Sequence, residues 1–197
     1  MTTNPPLKIA LAHGMVDARE AIHAALVLSR YEDIWICQTG AELIATTLEH
    51  EPDLIITGVD LPDMDGPSAL IEISQTLTIP AIVVTRQRSL ELVQKSLEDH
   101  VMAYLLEPVK PEEIVPTIVL VIGRFEQLKE LEAENQSLKQ ALSDRKVIER
   151  AKGFLMKQRD LDEEAAYKQL RRQATDNRIR MVEAAEQVLS GDQPTDE

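Results

Sequence analysis

The sequence predicts an α/β fold, an open parallel sheet of five strands, followed by an all-helical second half. Three observations carry this. Short apolar runs alternate with amphipathic stretches from Leu7 to about Gly123. Strand-like runs stop after Pro116, where glycine also becomes scarce. Leucines then recur at heptad spacing.

The runs KIALA, IWIC, DLIITG, AIVVT and VMAYLL each have the length and composition of a strand. They are almost continuously apolar, as strands are when helices cover both faces of a parallel sheet. Intervening segments are helix-like, the first opening as DAREAIHAAL, where Asp17 is expected to cap the helix. A further helix-like stretch separates AIVVT from VMAYLL. Turn signals PD, DG and EP stand at strand ends. The third strand ends in Gly58 and runs straight into LPDMDG, which is how a strand meets an active-site loop in such sheets.

In LKELEAENQSLKQAL, Leu128, Leu131, Leu138 and Leu142 fall on a and d positions, with Asn135 at an a position between them. A lone Asn there fixes register in a parallel two-stranded coil, and Glu134 at g lies where it pairs across the dimer with Lys139 at e. The alternative is a solvated amphipathic helix docked on its own domain. Beyond it, RKVIERAKGFLMKQRD continues as helix, DEEAAYKQLRRQA forms a second with Asp162 as N-cap, and RIRMVEAAEQVL a third. Ile148, Leu155, Leu161, Leu170, Val182 and Leu189 are the expected core of this three-helix unit, and the tail SGDQPTDE reads as polar and frayed. The domains predicted are 1–123, a linker coil at 124–142, and 143–190.

The chain has 197 residues, 44% of them hydrophobic, enough for one good-sized domain and a smaller attachment. A single cysteine, Cys37, rules out a disulfide framework, and no basic leader or apolar run of about 20 residues is present. These features point to a cytoplasmic protein without a membrane segment. A net charge of −13 argues against polyanion binding by the chain as a whole. The charge is segregated, however. Residues 142–189 carry 11 Lys/Arg against 9 Asp/Glu, a net +2 that leaves −15 elsewhere.

The first 123 residues resemble the receiver domain of response regulators in two-component systems, a flavodoxin-like fold. LPDMDG matches the loop after the third strand, through Pro62, Met64, Asp65 and Gly66; AIVVT ends in the expected Thr85; YLLEPVKPEEI matches the fifth strand and its turn, with Pro108 at the family's proline. Receiver chemistry transfers a phosphoryl group to an aspartate and needs acidic groups for Mg²⁺ and a lysine beside the phosphoryl oxygens. The resemblance places the acidic pair on His13 and Gly14, the phosphoacceptor on Gly58 and the lysine on Glu107. Only Thr85 of the set remains, so this reads as a pseudo-receiver. Asp60 and Asp63 are the available substitutes, without their metal ligands or lysine. His13 has no second ligand at metal spacing and reads as a loop or satisfied buried histidine. No metal or cofactor is expected.

The string ALSDRKVIERAKGFLMKQRDLDEEAAYKQLRRQA resembles the ANTAR domain, the RNA-binding module of AmiR- and NasR-type transcription antitermination regulators. Arg145, Ile148, Ala151, Lys152, Gly153, Leu155, Met156, Ala166, Tyr167, Leu170, Arg171 and Ala174 carry the match. It implies binding to paired hairpins in a leader transcript, for which a homodimer joined by the coil offers two modules; the chain is not expected to be an enzyme, and a receiver without phosphotransfer must take its input from a sensor or regulatory protein, a small ligand or its own concentration.

Arg145, Lys152 and Arg159 recur every seven residues, so they share a helix face that can follow a phosphate backbone. Tyr167 and Arg171, at i and i+4, set a ring beside a guanidinium, as base stacking in RNA loops requires. Arg150 and Arg172 complete the expected contacts. Equally, Tyr167 can pack inside the bundle. A protein-interaction scaffold without RNA binding is the alternative function; DNA binding lacks support, with no Gly-turned helix-turn-helix and no long basic helix.

Overall fold

The computed structural model describes residues 7–86 and 101–191. The helix-like stretch expected between AIVVT and VMAYLL, and the frayed tail beyond Gly191, lie outside these residues. Five strands, β1 (Ile9–Ala12), β2 (Ile34–Cys37), β3 (Leu54–Gly58), β4 (Ala81–Thr85) and β5 (Val101–Leu106), form one parallel sheet in the order β2-β1-β3-β4-β5. Six helices accompany them among the described residues: α1 (Val16–Leu28), α2 (Gly40–His50), α3 (Gly66–Ser74), α4 (Pro111–Arg159), α5 (Glu163–Asn177) and α6 (Met181–Ser190).

Two cores cover the sheet. On one face Ile22 and Leu26 of α1 and Ile114, Ile118 and Val121 of α4 pack on Ile9, Leu11, Leu54, Ile56 and Ile82. On the other, Leu43 and Ile44 of α2 and Leu70 and Ile73 of α3 meet Ala10, Ala12, Ile55 and Val83. The side chains of β1, β3 and β4 alternate between these cores and are buried on both sides, with Thr57 buried among them, while the edge strands β2 and β5 are half-buried.

The helix starts are set locally. Thr39 caps α2 by accepting the Glu42 N–H at 3.1 Å, and Asp65 caps α3 by accepting the Ser68 N–H at 2.7 Å. Asp17 does not cap α1: Met15 is the N-cap residue and offers no side-chain bond, while Asp17 sits in the first turn, where its charge still favours the helix dipole. Asp162 does cap α5, accepting the Ala165 N–H at 2.7 Å.

The chain divides into two compact units, Met1–Lys129 and Glu130–Glu197. In the second, Ala151, Leu155, Ala166, Leu170, Ala185 and Val188 form the core, with Ile148, Leu161 and Leu189 half-buried against it and Val182 buried. Arg178 ends α5 in the left-handed region, and Arg180 is the N-cap residue of α6, its N–H donating to the Glu183 carboxylate, so the third helix starts later than RIRM suggests.

Candidate functional site

The carboxyl ends of β1, β3, β4 and β5 bring His13, Gly58, Thr85 and Glu107 together. The Met15 N–H donates to Nδ1 of His13 at 3.1 Å, so the ring carries its proton on Nε2, which donates to Oε1 of Glu107 at 3.1 Å. The other carboxylate oxygen of Glu107 accepts from Nε of Arg86 at 2.9 Å. His13 is 4% exposed, and the Glu107 side chain is 13% exposed. One carboxylate thus ties the ends of β1 and β4 to β5, with no phosphate or metal needed to hold them.

The imidazole occupies the space that a side chain at 58 would use. A Cβ built on Gly58 lies 2.7 Å from Cδ2 and 2.9 Å from Nε2 of His13, and no positive φ accounts for the glycine. Gly14 is closed in the same way, because a Cβ there would run into the backbone carbonyl of Asp60. The residues do not fit Mg²⁺, which demands several oxygen ligands: His13 and Glu107 are committed to each other and to Arg86. Among the described residues no group of three or more His, Cys, Asp or Glu is arranged around a metal position.

Neither substitute acceptor is well placed. Asp63 receives the Gly40 N–H at 2.7 Å and the Ala41 N–H at 2.9 Å. Those bonds, the one from Ala41 foremost, hold its carboxyl below the usual range and tie it to the start of α2. Asp60 lines a cavity of about 150 Å³ with His13, Thr85, Arg86 and Glu107, where it meets a second carboxylate and no lysine.

In the second unit the seven-residue series of cations is split. Arg145 and Arg159 are exposed, but Lys152 is 7% exposed, its ammonium bonded to Glu163 at 2.7 Å and to Glu149 at 3.0 Å. The bonds from Glu163 and then Glu149 raise the lysine's pKa, and Lys152 in turn holds Glu163 below the usual carboxylate range. Lys152 is therefore not a surface phosphate contact; it fastens α4 to the first turn of α5. Its neighbour Ala151 is fully buried, so this side of α4 turns toward the core.

Exposed cations on α4 instead follow the line Lys146, Arg150, Lys157, at i, i+4 and i+11. Lys146 and Lys157 are the members that the seven-residue spacing did not single out. On α5, Tyr167 is 44% exposed rather than packed in the bundle, with Arg171 one turn on. Arg172 is exposed and pairs loosely with Asp176 at 3.4 Å. Among the described residues no carboxylate pairs with Arg145, Arg150 or Arg171. Leu131, Leu138 and Leu142 are each about 60% exposed along α4, with Leu128 at 39% and Asn135 exposed between them. No helix among the described residues is long and apolar enough to cross a membrane.

Comparison with known proteins gives the same two parts. Residues 10–119 match the response regulator receiver domain, and residues 136–189 match the ANTAR domain. The transcriptional regulatory protein PdtaR of Mycobacterium tuberculosis is 33% identical over 184 residues, covering 93% of this chain and 90% of that protein. The nitrate regulatory protein of Klebsiella oxytoca is 42% identical over 71 residues, 36% of this chain and 18% of its own length. A CheY-like receiver domain from Methanospirillum hungatei superposes with a TM-score of 0.57 at 24% identity, over 62% of this chain and 98% of that one. That last likeness concerns the fold alone.

Proposed function

The chain belongs to the response regulators that join a receiver domain to an ANTAR domain, and from that membership we propose a dimeric RNA-binding regulator of transcription antitermination whose receiver no longer transfers phosphate. In this reading residues 1–123 take the input, 124–142 form the dimer coil, and 143–190 bind hairpins in a leader transcript. It is a regulator and not an enzyme.

The observation that carries the RNA reading is the exposed pair Tyr167 and Arg171, an amphipathic ring beside an unpaired guanidinium in the one segment of net positive charge. Loop bases stack on such groups while neighbouring cations hold the backbone. A dimer presents two such modules, and the tether raises the effective concentration for the second hairpin. Loss of phosphoryl transfer is supported by the ring of His13 standing where the acceptor would be, and by Glu107, which would repel a phosphate that a lysine would neutralise.

The test is hairpin binding as a function of salt. Removing Arg145, Arg150 or Arg171 singly should lower the slope of log affinity against log salt by about 0.7–0.9 units for each phosphate that is no longer neutralised. Tyr167→Ala should cost about 1–3 kcal/mol on hairpins with the correct unpaired base and leave the slope unchanged. If the full chain prefers no structured leader RNA to duplex DNA at physiological salt, the scaffold reading replaces this one.

A further inference from the structure

The chain has six aromatic residues: Trp35, Tyr31, Tyr104, Tyr167, Phe125 and Phe154. Four are buried or half-buried. The two that are exposed, Tyr167 at 44% and Phe154 at 39%, both lie in the second unit. They also share a local design. Tyr167 has Arg171 four residues on, and Phe154 has Arg150 four residues back and Lys157 three residues on, so each ring is flanked by cations on its own helix face. Arg150 and Lys157 are exposed and, among the described residues, pair with no carboxylate.

Position 154 borders the core of the second unit without entering it. Ala151 and Leu155, one turn before and one residue after, are fully buried, while Phe154 stays out of the core they join. An exposed phenyl ring gains nothing from water and has no polar tip to hydrate it. Single exposed hydrophobics are common on protein surfaces, but an aromatic ring set between two uncompensated cations has the composition of a stacking platform for nucleic acid. The cations fix the phosphates on either side and the ring offers its face to whatever planar group lies between them.

We infer that Phe154 is a second base-stacking residue, receiving an unpaired RNA base on α4 while Arg150 and Lys157 hold the flanking phosphates. The inference rests on the RNA-binding reading of this unit and extends it from one planar contact to two. Phenylalanine has no hydrogen-bonding group, so this subsite takes any base that is splayed out of its stack, and prefers purines for their larger face. A side chain that stacks through its π face is replaced by tyrosine or tryptophan and not by leucine. A side chain that merely packs against a second protein surface is replaced by leucine at little cost.

The experiment uses the full chain and hairpins selected by the wild-type protein from a pool with randomised loops. Phe154→Leu should weaken binding of the selected hairpin about 5- to 150-fold with an unchanged salt slope, and Phe154→Tyr should bind within about threefold of wild type. Ultraviolet crosslinking should yield a nucleotide adduct at residue 154. Melting temperature and sedimentation of each variant, measured on the same preparations, separate this from loss of fold or of a protein contact. If Phe154→Leu binds the selected hairpin as tightly as wild type, or if it loses binding only in step with dissociation of the dimer, the stacking role is wrong while the RNA reading stands. If no hairpin is enriched by the wild-type chain, the RNA reading itself fails and takes this one with it.

Discussion

Gly58→Ala should destabilise the protein, and His13→Ala should remove most of that cost. The new methyl carbon would lie 2.7 Å from Cδ2, 2.9 Å from Nε2 and 3.1 Å from Cγ of His13. The ring cannot step aside freely, since Met15 N–H and Glu107 hold its two nitrogens and almost none of it reaches solvent. Overpacking of this kind costs about 1–3 kcal/mol. Against it stands a gain of about 0.5–1 kcal/mol, because alanine in a strand loses less backbone entropy than glycine. The net loss in the natural background is therefore about 0–2.5 kcal/mol. With His13 replaced by alanine the overlap is gone, and Gly58→Ala should be neutral or stabilising by up to about 1 kcal/mol. The coupling between the two sites is the difference, about 1–3 kcal/mol. Urea unfolding followed through Trp35 measures it, since this is the chain's only tryptophan and its ring stacks on His50 in the first unit, 4.9 Å between centroids. An equal cost of Gly58→Ala in both backgrounds would show that the imidazole does not fill the acceptor's place.

Incubation with Mg²⁺ and acetyl phosphate should leave the chain unmodified; an acid-labile phosphoaspartate found by mass spectrometry, at Asp60 above all, would overturn the silent-receiver reading. Charged residues in place of Leu131 and Leu138 should yield monomers, and an unchanged sedimentation mass would place the dimer interface elsewhere. The Lys152–Glu163 bond makes the second unit sensitive to acid. The folded-state pKa of Glu163 is depressed by its bond to Lys152, so its contribution is present above the ordinary unfolded carboxylate value and is lost as pH falls through the lower folded one. Lys152→Met should lower the melting temperature at neutral pH and flatten that acid dependence while leaving the RNA salt slope in place. A slope reduced by about one unit would mean that Lys152 reaches phosphate after all.

The sheet was readable because its inner strands β1, β3 and β4 are buried along their whole length and the edge strands β2 and β5 are still apolar, a pattern that needs no knowledge of partners. The residues at 13, 14, 58 and 107 drew attention only through the resemblance to receiver domains. The bond between two of them was not legible, because His13 and Glu107 are 94 residues apart and meet only through the packing of β1, β3, β4 and β5 in one sheet. Spacing likewise put Arg145, Lys152 and Arg159 on one line of α4 without saying which neighbour that line meets. The missing signal was Ala151, an alanine that marks buried surface only when Ala166 and Ala185 pack beside it. Small core residues carry little hydropathy contrast, so the sequence pattern understated how much of α4 turns inward. Asp17 was misplaced for a related reason: capping depends on backbone angles at Met15, two residues upstream, and a run of good helix formers does not encode where the chain leaves the extended region.

These placements bear on how the first unit can be switched. The ring of His13 fills the space beside Gly58, and the Glu107 carboxylate bridges β1 and β4 through His13 and Arg86. Adding charge at 58 would require expelling the ring from both of its hydrogen bonds. Displacing Arg86 would not, since its side chain is 60% exposed and is held by one oxygen of Glu107 and by the sulfur of Met15, not by the ring. The pocket therefore yields more readily at its Arg86 edge than at Gly58.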